Sequence, residues 1–312
     1  MNFDKVAIIV TYNRFELLEK LLNSINKQLF QFDYVYIVDN ESAISTKELI
    51  YNINPKYVYL DPKENLGCSG GFKFGLKVIL KKHANGFVVF LDDDIALLPN
   101  FLQVVSENEF LANNSCIIPS KSYEDGSVFY WSPLLTNNKL FVKSNIESPH
   151  TGLHNLPLKV DNITFEACIL PIDIINKIGL PNDKFFIDGD DYEYGLRISN
   201  ETSIYKIPQV LVERQIKIEP EFKICSFILF KLKSNRVKLG ENRLYYEIRN
   251  KYLIAKTLGY SPLYTFFSIS PHYFRLMAGL LIFREIKLIR AFHIFLKAHF
   301  DGFIGRYGKR SI

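Results

Sequence analysis

The run Phe87-Val88-Val89-Phe90-Leu91 reads as a buried strand, and it ends abruptly in three carboxylates, Asp92, Asp93 and Asp94. In open α/β sheets ligands bind beyond the carboxyl ends of the strands, so charge placed there marks a candidate site. Extended residues alternate faces, which is expected to aim Asp92 and Asp94 to one side and Asp93 to the other. Two hard oxygen ligands on one side suit Mg²⁺ or Mn²⁺, which takes one or two carboxylates and fills its shell from water and phosphate oxygens. A solvated acidic turn after a core strand is the alternative that these residues alone leave open.

A second acidic cluster follows much later, in Asp188-Gly189-Asp190-Asp191-Tyr192-Glu193. Acids opening a helix are stabilised by its dipole. Glu193 and Arg197 are four apart and are expected to pair along that helix, whereas Asp190 and Asp191 have no such partner in sequence. Between the two clusters lie Gly67, Gly70, Gly71 and Gly75, where missing side chains allow either the backbone cradling of a phosphate at a helix N-terminus or tight packing of helix on sheet. The glycines do not form a Walker loop, and they follow the third strand rather than the first, unlike a dinucleotide fingerprint. His150 and His154 are four apart, but Pro149 and Gly152 argue against a helix that would align them, so they read as loop histidines.

The elements that must position these groups alternate. Val6–Val10 is a strand, followed by the polar loop Thr11-Tyr12-Asn13-Arg14 and by apolar residues at helical spacing from Phe15 to Ile25. Strands at Tyr34–Val38 and Tyr57–Leu60, a helix reaching about Lys82 and the strand at Phe87 continue the pattern. Such alternation predicts a parallel, doubly wound sheet with right-handed crossovers. Further strands are expected at Ile117–Pro119, Val128–Trp131 and Thr164–Pro171, a loop-rich stretch at Ser132–Pro157, and helices ending near Gly179 and starting near Asp190. From Glu241 a helix places Tyr245 over Arg249 and Tyr246 over Asn250, and two more helices are expected after it, with Pro262 and Pro271 as breakers.

With 312 residues, 48% hydrophobic and 23% charged, the composition is globular. Cys68, Cys116, Cys168 and Cys225 are too far apart for a zinc cluster or disulfide framework, which fits a reducing cytosol. The N-terminus enters a strand directly, so no signal peptide is expected. The net charge of +5 hides an asymmetry: from Lys217 onward there are 18 Lys or Arg against 6 Asp or Glu. A basic, aromatic-rich tail favours an anionic partner, and a peripheral place on the inner face of the plasma membrane is expected, with no transmembrane helix and no nucleic acid.

Taken together, Val10-Thr11-Tyr12-Asn13-Arg14, Val38-Asp39-Asn40, Asn65-Leu66-Gly67 with Gly70-Gly71-Phe72, the Asp92-Asp93-Asp94 strand end and Asp190-Asp191-x-Glu193-x-x-x-Arg197 resemble, in order and spacing, the inverting glycosyltransferases of family 2. The likeness is to the galactofuranosyl- and rhamnosyltransferase-like branch. It implies a GT-A fold, with a mostly parallel Rossmann-like sheet, over residues 1–215, divided into a nucleotide-sugar half (1–130) and an acceptor and base half (131–215), and a helical region over 216–312. By this resemblance Thr11, Tyr12, Arg14, Asp39, Asn65, Gly67, Gly71 and Asp93 hold the donor. Asp92 and Asp94 bind Mn²⁺ or Mg²⁺ on its pyrophosphate, and Asp191 is the catalytic base with Asp190 beside it. The galactofuranosyl branch has a histidine beyond the base to complete the metal shell. The corresponding window, Pro208–Gln215, has none, which leaves Glu213, Gln215 or water. The implied reaction moves a sugar from UDP-galactofuranose, a UDP-hexose or dTDP-rhamnose to a hydroxyl of a lipid-linked cell-surface glycan such as capsule or O-antigen. A nucleotidyltransferase would want a glycine-rich basic loop after the first strand, and a non-catalytic binding subunit would not need both acidic clusters.

Overall fold

A computed structural model describes residues 3–43, 46–129, 132–135, 139–145, 156–217, 221–226, 231–236, 240–283 and 286–310. His150, His154, Tyr130 and Trp131 lie outside the described residues. The chain divides into two compact units, residues 1–186 with 190–216, and 187–189 with 217–312.

The first unit opens with β1 (Asp4–Thr11), α1 (Phe15–Asn26), β2 (Tyr34–Asp39), α2 (Lys47–Ile53), β3 (Val58–Leu60), α3 (Gly67–Lys82) and β4 (Gly86–Asp92). The central residues of β1, β2 and β4 are apolar because helices cover both faces of the sheet they form. Alternation along β1 divides the core: Ala7 and Ile9 pack with Leu18, Leu21 and Leu22 of α1, while Val6 and Ile8 pack with Phe72, Leu76 and Ile79 of α3. Next come β5 (Ile95–Leu97), α4 (Phe101–Ser106), α5 (Glu109–Ala112), β6 (Cys116–Tyr123), β7 (Val128–Phe129), β8 (Ser132–Leu135), β9 (Val142–Asn145), β10 (Leu158–Val160), β11 (Cys168–Pro171), α6 (Ile172–Ile178), α7 (Asp190–Glu201) and β12 (Ile204–Arg214).

The main sheet runs β10-β12-β6-β11-β4-β1-β2-β3. It is parallel across β3, β2, β1 and β4, as alternation predicts, and mixed beyond, with β11 antiparallel to both β4 and β6. The expected strand at Thr164 begins only at Cys168, because Ala167 takes a left-handed φ of 64° just before it. Ser132–Pro157, expected as loop, contains the antiparallel pair β8–β9. β12 was not legible as a strand because Pro208 and Gln209 interrupt it, and its register against β6 shifts there.

The second unit, expected to be wholly helical, begins with an antiparallel pair, β13 (Glu221–Ser226) and β14 (Lys231–Arg236). Three helices follow, α8 (Glu241–Thr257), α9 (Pro262–Ile282) and α10 (Leu288–Phe303). Pro262 begins α9 as expected, but Pro271 lies inside α9 instead of ending it. A proline ring there is tolerated on the exposed side, where the Phe267 carbonyl that loses its N–H partner lies near solvent, and the Ser270 hydroxyl donates to the Phe266 carbonyl at 2.6 Å in the same turn. Arg249 is fully buried and lies 5.7 Å over the ring of Tyr245, the residue expected one turn before it, and nearer, at 4.7 Å, over the Tyr246 ring.

Candidate functional site

Three strand ends come level on one rim of the sheet, since Val10 of β1 pairs with Asp92 of β4 and Thr11 pairs with Asp39 of β2. The polar residue that follows each buried run therefore meets its neighbours there.

β4 stops at Asp92, and Asp93 and Asp94 form a turn into β5. The expected alternation of the three aspartates is thus corrected, because side chains in a turn follow the turn and not the pleat. Asp93 is buried with both oxygens engaged: Thr11 Oγ1 donates to one at 2.8 Å and Arg14 Nη1 to the other at 2.8 Å. Arg14 also donates to one oxygen of Asp94, at 3.1 Å. Asp92 has different company. Burial pushes its carboxyl well above the usual range, and Glu166, Asp94, Asp93 and Asp191 around it add to the rise.

The loops after β1, β2 and β3 are laced together. Asn13, at a left-handed φ of 55°, donates its backbone N–H to Ser42 Oγ at 3.0 Å and accepts from the Ala43 N–H at 2.7 Å. Asp39 accepts from the Ser42 N–H and from the Thr46 hydroxyl, so it orders its own loop. Tyr12 stands exposed on the rim. Asn65 caps the N–H of Gly67 at 2.9 Å, and Asn40 donates to the Gly67 carbonyl at 2.8 Å. Gly67 has a φ of +74°, and a Cβ there would fall 2.0 Å from the Phe186 carbonyl oxygen. A Cβ on Gly71 would meet Val10 Cγ1 at 2.6 Å. Of the two readings left open for the glycines, the structure supplies the reason for packing.

That close approach also carries the second acidic cluster to the rim. The Cys68 N–H at the start of α3 donates to the Phe186 carbonyl at 2.8 Å, four residues before α7 begins at Asp190. The Cys68 thiol is pushed up first by burial, then by Asp190, Asp92 and Asp191, so acids of both clusters act on it. Asp190 is buried, and Asp191 Oδ1 accepts from the Tyr192 N–H at 2.7 Å. Glu193 and Arg197 pair at 3.0 Å, as their spacing predicts, and Arg197 also donates to the carbonyls of Ile178 and Leu180.

Sequence reasoning missed the cations behind Asp92. Glu166 lies between Lys121 at 2.9 Å and Arg214 at 3.0 Å. Burial pushes the Glu166 carboxyl up, but Lys121 and Arg214 outweigh it and hold the group below its ordinary value. No spacing links three residues on separate elements, so no signal in the sequence announced them. Asn40 did have one, as a polar residue at the end of β2.

Of the two candidates for a third metal ligand, Glu213 sits within β12 opposite Ala96 and Ser122. Its neighbour Arg214 reaches Glu166, so alternation turns Glu213 to the other face. Gln215 rests against the acidic turn: its backbone N–H donates to the Asp94 carbonyl at 2.9 Å, and its side-chain nitrogen donates to the carbonyls of Leu17 and Ile95. That leaves the Gln215 Oε1 buried without a hydrogen-bond partner.

Among the described residues no three His, Cys, Asp or Glu side chains gather as a ready cage for an ion. Mg²⁺ and Mn²⁺ sites do not need one, since one or two carboxylates with water and phosphate suffice. The residues present fit such an ion. Asp92 is crowded by four other carboxylates whose repulsion a cation would relieve, Asp94 gives Arg14 only one oxygen, and Gln215 Oε1 is an unused hard acceptor.

Residues 6–172 match the Glycosyl transferase family 2 model, more than half of the chain, and the protein belongs to that family. It is 25% identical over 196 residues to galactofuranosyltransferase GlfT1 of Mycolicibacterium smegmatis, covering 62% of this chain and 64% of that one. It is 34% identical over 125 residues to a GalNAc(5)-diNAcBac-PP-undecaprenol beta-1,3-glucosyltransferase of Campylobacter jejuni, covering 36% and 38%. The matched stretch thus spans less than two thirds of either relative. Among solved structures, S. aureus TarS 1-349 in complex with UDP-GlcNAc superposes with a TM-score of 0.51 at 16% identity, over 81% of this chain and 66% of that one. GalNAc-T7 with UDP, GalNAc and Mn²⁺ superposes with a TM-score of 0.51 at 14% identity, over 68% and 43%. These likenesses establish the GT-A fold.

Proposed function

We propose that this member of glycosyl transferase family 2 moves a sugar, with inversion, from a nucleotide-sugar donor to a hydroxyl of a growing glycan, with Asp191 as the base. The observation that supports this reading is the 2.8 Å hydrogen bond from the Cys68 N–H at the start of α3 to the Phe186 carbonyl, which ties the segment leading into Asp190 and Asp191 to the glycine-bearing start of α3. A donor of the UDP-galactofuranose, UDP-hexose or dTDP-rhamnose type is supported by the galactofuranosyl- and glucosyltransferase relatives and by the UDP-bound neighbours. A lipid-linked acceptor is supported by the undecaprenol in the second relative's name.

The chemistry is a single displacement. The acceptor oxygen forms a bond to the anomeric carbon as the bond from that carbon to the diphosphate oxygen breaks, and the electron pair leaves with the nucleoside diphosphate. Asp191 takes the hydroxyl proton, a task for a carboxylate within reach of the nucleophile. Arg14, fixed by Asp93 and Asp94, holds positive charge at the end of the donor loop. Asp92 and Asp94 would hold Mn²⁺ or Mg²⁺, with Gln215, whose backbone N–H meets the Asp94 carbonyl, as the candidate for a further oxygen, and the ion would supply charge to neutralise the departing diphosphate. Glu166, balanced by Lys121 and Arg214, fixes the wall behind Asp92.

The test is release of nucleoside diphosphate from a panel of sugar nucleotides with Mn²⁺, with and without a polyprenyl-diphosphate-linked acceptor. Acceptor-dependent release from one donor class is expected. Tight donor binding with no release on any acceptor would instead make the chain a binding subunit.

A further inference from the structure

The second unit carries an apolar surface that its own core does not need. On α10, Ala291, Ile294 and Ala298 are buried against the other helices, which uses up one face. Ile289, Phe292, Leu296, Phe300 and Phe303 recur at helical spacing on the opposite face, with Ile289 86% exposed and Phe292 63% exposed. α9 repeats the arrangement: Ile269, Tyr273, Met277 and Leu280 are buried, while Leu263, Phe267, Phe274 and Ile282 stand outward, Phe274 at 68%. A helix that is apolar on two faces has a second apolar neighbour.

The charges around α10 identify that neighbour. Residues 286–310 contain Lys287, Arg290, Lys297, Arg306, Lys309 and Arg310, and one acid, Asp301. Asp301 is buried and bonded to Tyr245 and Lys297, and Glu241 of α8 offsets Arg290 at 2.8 Å, so the charge left in excess around α10 is positive, from Lys287, Arg306, Lys309 and Arg310. An isologous contact with a second copy would set this cationic rim against itself. A surface that is apolar inside and anionic at its boundary complements it, and that describes an anionic lipid bilayer. No helix among the described residues is long and apolar enough to cross a membrane, so the fit is to a helix lying in the interface.

We propose that α10, with the outward stripe of α9, docks this protein in the plane of an anionic membrane, the apolar stripe entering the acyl boundary while the flanking lysines and arginines meet the headgroups. Charge alone would produce adsorption that salt removes. The stripe predicts a salt-resistant component, because apolar burial is not screened.

The test uses the full chain and floats it with vesicles of phosphatidylglycerol mixed with phosphatidylcholine. The triple variant Ile289→Ser, Phe292→Ser, Leu296→Ser alters only outward side chains. It should lower the partition coefficient at least about tenfold at high salt, and Lys287→Glu with Arg306→Glu should lower it mainly at low salt. Sedimentation velocity reads the oligomeric state of each form in parallel, and calorimetry with UDP and Mn²⁺ reads the donor site separately from the membrane surface. The proposal is overturned if the triple variant floats like the wild type, if the wild type does not bind these vesicles, or if the wild type is an oligomer that the triple variant dissociates.

Discussion

Arg14 Nη1 stands 2.8 Å from Asp93 Oδ1, joining residues 79 apart in sequence, with the carboxylate buried and the guanidinium about half exposed. The pair closes the loop after β1 onto the turn after β4. With Thr11 holding the other oxygen, Asp93 is a latch on the loop after β1, and both of its oxygens are engaged in holding it.

Asp93→Ala should therefore act first on stability. It leaves the buried Thr11 hydroxyl without its acceptor and leaves Arg14 with Asp94 alone, a loss of about 1–3 kcal/mol. Arg14→Ala should cost less, because that side chain already meets solvent and Thr11 still serves Asp93. Urea unfolding of both variants checks the order. Equal losses would mean that the pair, and not the buried hydroxyl contact, holds the turn.

Asp92→Ala and Asp94→Ala should abolish the Mn²⁺-dependent part of UDP binding while leaving the fold intact, and Asp93→Ala should reduce it only in proportion to loss of folded protein. Gln215→Leu removes the unpartnered Oε1 and should weaken Mn²⁺-dependent binding by about tenfold. Calorimetry with and without Mn²⁺ makes the comparison. If Gln215→Leu bound UDP and Mn²⁺ as the wild type does, water would complete the shell in its place.

His299 is expected to make the second unit acid-sensitive. It is buried with its Nδ1 2.8 Å from the Tyr252 hydroxyl and its Nε2 without a hydrogen-bond partner, and burial lowers its pKa from the ordinary 6.5 to about 4. The unfolded chain binds the proton more readily than the folded one, so this contribution is full above about pH 6.5 and is lost as pH falls toward 4. Its size is on the order of 3 kcal/mol. Thermal melts across that window should show a steeper fall for the wild type than for His299→Gln. Parallel curves would show that His299 does not titrate during unfolding.

The parallel half of the fold was legible because strands covered on both faces leave unbroken apolar runs, as at Val6–Val10 and Tyr34–Val38, and because each run ends in polar residues that the sheet brings level. β12 was hidden by Pro208 and by the shifts in its register. Glu166, Lys121 and Arg214 were hidden for a different reason: their contacts join separate strands and loops, and only the folded sheet brings them together. The three aspartates show the limit of a periodic argument. Their importance could be read from the strand that precedes them, but their directions could not, since the pleat ends at Asp92.

Asp191 offers the sharpest test, because a base and a donor ligand respond differently to the same substitution. A general base touches the acceptor hydroxyl and contributes typically about 10²- to 10⁴-fold to rate, without needing to touch the nucleotide. Asp191→Asn keeps the shape of the side chain, and its amide oxygen can still accept from the Tyr192 N–H, so the start of α7 should survive. Turnover should fall on that scale while donor Kd stays nearly unchanged. Asp190→Asn should lose less rate, since the Asp190 side chain is buried at the first position of α7 and is assigned to positioning. Paired measurements of donor Kd and transfer rate for both variants decide the assignment. Near-normal transfer by Asp191→Asn, or loss of donor binding along with turnover, would remove Asp191 from the role and point to Asp190, since Glu193 is committed to Arg197.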